Sequence, residues 1–125
     1  MKKFLFILVL FISGIFAANA QSGTKPSGVE VYYFHSTNRC ATCMAVEAVT
    51  KEALKQYYGD QITLKSINRE EDTNNPLIKK HQISRQTLLV LKGVKTVNLT
   101  NDAFMYARTN PDKLKAKIKE TIEKM

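Results

Sequence analysis

Along residues 29–34 the apolar side chains run almost without a break, only Glu30 interrupting Val29, Val31, Tyr32, Tyr33 and Phe34. A short run rich in β-branched and aromatic residues predicts a strand buried on both faces. Residues 44–58 change period. Val46, Val49, Ala53 and Tyr57 fall on one stripe at helical spacing, leaving Glu47, Lys51, Glu52 and Lys55 for water. Glu47 and Lys51 stand four apart in the favourable order, and Gly59 just past the last periodic position predicts the stop. Loose alternation over 62–68 predicts a second strand, which a crossover helix makes parallel to the first through a right-handed connection.

The polar stretch 69–75 reads as a surface loop, and Asn75-Pro76 opens a short helix that carries Leu77 and Ile78 and ends near 81–83. Residues 87–91 are apolar throughout and 94–100 alternate, so the two-residue link Lys92-Gly93 predicts an antiparallel hairpin. The pattern over 101–108 is ambiguous and is read as one short helical turn presenting Phe104 and Tyr106 inward. A clearer helix follows, with Asn110 as cap, Pro111 at its first position, Asp112 in the first turn, and Leu114, Ile118 and Ile122 in a stripe. The order predicts an α/β fold. A βαβ unit followed by ββα gives one mixed four-stranded sheet with helices on both faces.

The amino-terminal pattern is different in kind. Lys2 and Lys3 precede the apolar run 4–17, which ends in Ala18-Asn19-Ala20. A positive start, an apolar middle and a small-x-small end predict a secretory signal peptide over 1–20. The alternative is an uncleaved amino-terminal anchor, for which the run is short. Gln21 occupies the place where a lipoprotein would carry cysteine. Residues 21–28, with Ser22, Gly23, Pro26, Ser27 and Gly28, read as a flexible lead-in, and 29–125 as one domain. The expected location is outside the cytoplasm: periplasmic in a Gram-negative cell, secreted otherwise.

The chain has 125 residues and a formal charge of +8, of which Lys2 and Lys3 supply two. Much of the remaining excess comes from Lys113, Lys115, Lys117, Lys119 and Lys124, spread around the last helix without interleaved aromatics. That distribution argues against nucleic-acid binding and leaves weak attraction to acidic partners.

Both cysteines of the chain stand in one motif, Cys40-Ala41-Thr42-Cys43, between the first predicted strand and the helix after it. At a helix start the first N–H groups lack partners and the aligned peptide dipoles place partial positive charge. A thiolate there is favoured over its thiol. Two intervening residues let the second sulfur reach the first and resolve a mixed disulfide. A bridge across so short a span constrains the unfolded chain very little, which favours a redox role over a structural staple. Metal binding and an inert pair are the alternatives. Two thiolates leave zinc short of four ligands even with His35 as a third, whereas copper(I) accepts two soft ligands.

The motif, its place after a buried strand, and the βαβ-ββα order make residues 29–124 resemble the thioredoxin-like superfamily. Val31-Tyr32-Tyr33-Phe34-His35 with Arg39-Cys40-Ala41-Thr42-Cys43 looks closer still to small exported bacterial thioredoxin-like proteins. Some of these are labelled subunits of a nitrophenyl-compound nitroreductase. No flavin or nicotinamide fingerprint accompanies the motif here, and no cofactor is expected. The resemblance implies that Cys40 is the exposed attacking thiolate and Cys43 the buried resolving thiol. It also implies a substrate groove formed by Ala41, Thr42, Arg85, Gln86 and Thr87.

The chain departs from that pattern at three places. Phe34 replaces a buried acid six residues before the first cysteine, and Arg39 replaces the aromatic residue before it. Ser84-Arg85-Gln86-Thr87 lacks the cis-proline that shapes the groove, so a trans Gln86-Thr87 bond is expected.

Around the pair, Arg39 either favours the thiolate or is a solvated loop cation. His35 is either a proton relay or a structural imidazole, and Glu47 either the missing proton acceptor or a surface charge. His81 reads as a surface residue, and Asn98-Leu99-Thr100 matches a glycosylation triplet inside a predicted strand. The expectation is an exported, monomeric thiol-disulfide oxidoreductase, tilted toward reduction because Ala41-Thr42 lacks the histidine of strongly oxidising relatives. Its partners would be a protein disulfide or dithiol and a membrane thiol electron donor, with no stable membrane insertion after signal removal. A copper(I) carrier or an accessory redox subunit of a larger enzyme is the other reading.

Overall fold

A computed structural model describes residues 27–125. The predicted signal peptide over 1–20 and positions 21–26 of the lead-in lie outside the described residues. The elements run β1 (Val29–His35), α1 (Ala41–Tyr58), β2 (Leu64–Asn68), α2 (Pro76–Lys80), β3 (Thr87–Lys92), β4 (Lys95–Asn98), α3 (Thr100–Tyr106) and α4 (Pro111–Glu123). They form a four-stranded sheet in the order β2-β1-β3-β4. β1 and β2 are parallel, and β3 is antiparallel to both β1 and β4.

Alternation along the strands divides the core in two. Val29, Val31 and Tyr33 of β1, with Leu88 and Val90 of β3, meet Val46, Val49, Ala53 and Leu54 of α1. Leu114, Ile118 and Ile122 of α4 complete that layer, each buried, as their helical stripe requires. Phe34, Leu89 and Leu91 face the other way and are covered by Leu77 and Ile78 of α2 and by Ile83. The covering is partial. At the start of β1, Glu30 stays exposed and pairs with Lys65 at 2.9 Å.

Local chemistry accounts for the differences from the sequence expectations. Gly93 has φ 58°, and only glycine suits the first central position of a type II′ turn. The hairpin link is therefore Gly93-Val94, one residue later than expected, with Lys92 paired to Lys95. β4 stops at Asn98 because its Oδ1 accepts from the Thr100 N–H, while Thr100 Oγ1 accepts from the Leu88 N–H. The segment 100–106 is consequently a helix of two turns. Ala103 and Ala107 are buried there, and Phe104 and Tyr106 lie half-buried at the margin rather than inward. The triplet Asn98-Leu99-Thr100 spans the strand-to-helix corner instead of sitting within a strand.

Ile62 is buried but precedes β2, because the chain is still turning after Gly59, with the Gln61 N–H bonded to Tyr58 O. α2 ends with Gln82 at φ 53°. The Gln82 N–H donates to Lys79 O and the Ile83 N–H to Ile78 O, a Schellman cap that seats Ile83 against the same cluster as Ile78. This cap aims the following chain, Arg85-Gln86, toward the carboxyl end of β1.

Candidate functional site

β1 delivers the chain to the carboxyl end of the sheet, and α1 starts there with Cys40 as its N-cap. Cys40 keeps extended backbone angles, φ −77° and ψ 165°, while its carbonyl already accepts from the Met44 N–H at 3.0 Å. Its sulfur accepts from the Cys43 N–H at 3.1 Å, the capping role that serine or aspartate oxygen more often fills. Cys40 is exposed and Cys43 is 2% exposed. The two are joined as a disulfide with Cα atoms 5.1 Å apart. In the dithiol form, the free N–H groups of the first turn would stabilise negative charge on Cys40 rather than on its buried neighbour. Ala41 and Thr42, the first helical residues, are exposed and half-buried at the same mouth.

Beneath that turn, the buried Tyr33 hydroxyl donates to the Cys43 carbonyl at 3.1 Å. Burial pushes the phenol up to about 12, against a smaller lowering by the Arg39 charge. Tyr33 is thus a neutral donor that fixes the first turn of α1 to the central strand.

Arg39 and Glu47 are brought together. Arg39 Nη2 bonds Glu47 Oε2, and Lys51 Nζ reaches Glu47 Oε1 at 2.8 Å. Glu47, at 13% side-chain exposure, is therefore neither a solvated surface charge nor a free proton acceptor. Arg39 is correspondingly not a solvated loop cation: its guanidinium is half-buried and engaged, with Nε enclosed and unpartnered. His35 Nδ1 lies 3.0 Å from the Ser36 carbonyl, and its ring stacks obliquely on Tyr33.

The loop 36–39 is held by residues that carried no signal in the sequence. Arg69 Nη2 donates to Ser36 Oγ at 2.8 Å, and the Asn68 amide donates to Thr37 Oγ1 at 3.0 Å. Glu70 accepts from the Thr37 N–H at 2.9 Å, a bond that holds its carboxyl below the ordinary value. Gln86 Nε2 makes a long contact of 3.5 Å with Ser36 Oγ. These partners come from the ends of β2 and the start of β3, so only the assembled sheet brings them to the cysteine loop.

Arg85, Gln86, Thr100, Asn101 and Phe104 line a groove of about 290 Å³. Of the expected groove residues only Arg85 and Gln86 line it: Ala41 and Thr42 stay at the helix mouth, and Thr87 is buried and bonds back to the Arg85 carbonyl at 2.9 Å. The Gln86-Thr87 bond is trans, as is every peptide bond among the described residues. Phe34 is fully buried in the smaller cluster, paired across the sheet with Thr87. His81 is half-buried with Nε2 enclosed and unpartnered, because α2 turns it against the molecule instead of into water. No group of three or more His, Cys, Asp or Glu among the described residues is arranged to hold a metal ion.

No family model matches the chain, and no curated protein matches it. A solved structure described as "Structure of a malarial protein" is similar at 22% identity and a TM-score of 0.50. The match covers 74% of this chain and 94% of that one. It supports the α/β architecture alone.

Proposed function

We propose that this protein is an exported, thioredoxin-like thiol-disulfide oxidoreductase that reduces a disulfide of a specific protein partner. The observation that carries the reading is the asymmetry of the pair: an exposed Cys40 at a helix N-cap, with Cys43 buried within bonding reach. The Cys40 thiolate attacks one partner sulfur, and the other leaves as a thiolate with the electron pair of the broken bond. Cys43 loses its proton and attacks Cys40, closing the intramolecular disulfide and releasing the second partner thiolate. Two electrons pass from the dithiol to the partner; the proton released by Cys43, and one from water for the second, reprotonate the two partner thiolates. A membrane thiol donor would restore the dithiol, since an oxidising compartment does not.

The chain entering β3 carries Arg85 and Gln86 where the resemblance would place a proline, so weak activity on a generic substrate such as insulin is expected. Titration against thiol redox buffers, read by alkylation, should show a single two-electron transition. Its midpoint should fall between about −270 and −120 mV, the range of exchange-active dithiols. Separate one-thiol transitions, or tight copper(I) binding without exchange, would replace this reading with a carrier or an inert pair.

A further inference from the structure

The acidic residue nearest the cysteines along α1 is Glu47. It lies seven positions after Cys40 and four after Cys43, on the same side of the helix as both. Arg39, immediately before Cys40, bends along the helix to bond it. The guanidinium is thereby drawn toward a point roughly 10 Å down the axis from the N-cap, at 1.5 Å of rise per residue.

We propose that Glu47 is a positioning residue for Cys40: by holding Arg39 and sharing its own charge with Arg39 and Lys51, it limits how far the Cys40 thiolate is stabilised. This rests on the exchange reading above and adds a control on it. Without the carboxylate, Arg39 would be a free cation on the residue immediately before Cys40. With the carboxylate but without Arg39, a half-buried negative charge held only by the exposed Lys51 would lie along the thiol-bearing side of the helix.

Of the other charged or titratable groups near this end, Tyr33, His35, Arg69 and Glu70 are engaged elsewhere and Arg85 lies on a different segment. Tyr33 is a neutral donor to the Cys43 carbonyl. His35 is turned onto the Ser36 carbonyl. Arg69 and Glu70 are 3.9 Å apart, bonded to Ser36 and Thr37 respectively. Arg85 is exposed on the β3 side. The Arg39–Glu47 pair is therefore the adjustable charge beside the first turn.

The test follows Cys40 ionisation by the pH dependence of iodoacetamide alkylation. Full-length reduced protein carrying Cys43→Ser serves as the background, so that Cys40 is the only thiol. Glu47→Gln should lower the Cys40 pKa by on the order of one unit, the size expected of one nearby charge. Arg39→Gln should raise it, and adding Glu47→Gln to Arg39→Gln should bring it back toward the background value. With Cys43 present, Glu47→Gln should move the disulfide toward easier reduction.

A purely structural pair would lower the melting temperature in each variant and leave the Cys40 pKa unmoved. That result, in a background whose Cys40 ionises below an ordinary cysteine, overturns this inference while sparing the exchange reading. An ordinary pKa in the background itself overturns both. Should Glu47→Gln fail to fold, Arg39→Gln decides alone, an unchanged or lowered pKa counting against the proposal.

Discussion

Cys43→Ser is expected to convert a transient intermediate into a stable covalent adduct. Cys40 retains its exposed position and can still attack, but the buried sulfur that would release the partner is gone. When the reduced variant meets its disulfide partner, the mixed disulfide should persist for about hours instead of resolving within about seconds. It should run as a higher-mass species that a reducing agent dissolves, and its mass identifies the partner. Cys40→Ser should yield no adduct, because the remaining thiol is buried in the first turn. Adducts of equal yield from the two variants would show that the attacking and resolving roles are not divided as the burial of the two sulfurs indicates.

Phe34→Asp is the second large effect. It places a carboxyl where the proposed thioredoxin-like reading would expect one, but here the side chain is fully buried beside Leu89 and Leu91. The substitution removes an aromatic ring from packing, which alone costs about 3–5 kcal/mol, and adds a carboxyl to an apolar cluster. With whole-domain stability typically about 5–15 kcal/mol, urea unfolding should show a domain near its limit. Phe34→Leu, which keeps the cluster apolar, should lose well under half as much. A stable Phe34→Asp protein with faster exchange would mean that this cluster admits a proton relay.

The central framework was legible because its signals are local. The apolar run broken only by Glu30 makes β1, the cysteine pair marks the start of α1, and Asn110-Pro111 with the Leu114, Ile118 and Ile122 stripe makes α4. Boundaries failed where a tertiary bond decided them. β4 yields to α3 because Thr100 satisfies the Leu88 N–H, a bond between residues twelve apart. The end of α2 was blurred because its cap places Gln82, not glycine, in the left-handed region.

The site was legible at the sulfurs and obscure around them. Arg39 and Glu47 each invited a role of their own, and their mutual engagement appears only when loop and helix are folded together. Ser36, Arg69 and Glu70 look like ordinary loop residues in the sequence, and Asn68 like the polar end of a strand. Their work depends on β1 and β2 ending side by side, as the pairing of His35 with Asn68 requires.

The most direct measurement is site-resolved alkylation of the reduced wild-type protein across pH, read by peptide mass. Cys40 should label first, with a midpoint below the roughly 8.5 of an unperturbed cysteine, while Cys43 resists labelling until the domain unfolds. Labelling of Cys43 before Cys40, or a Cys40 midpoint at or above the unperturbed value, would leave no attacking thiolate at the helix mouth.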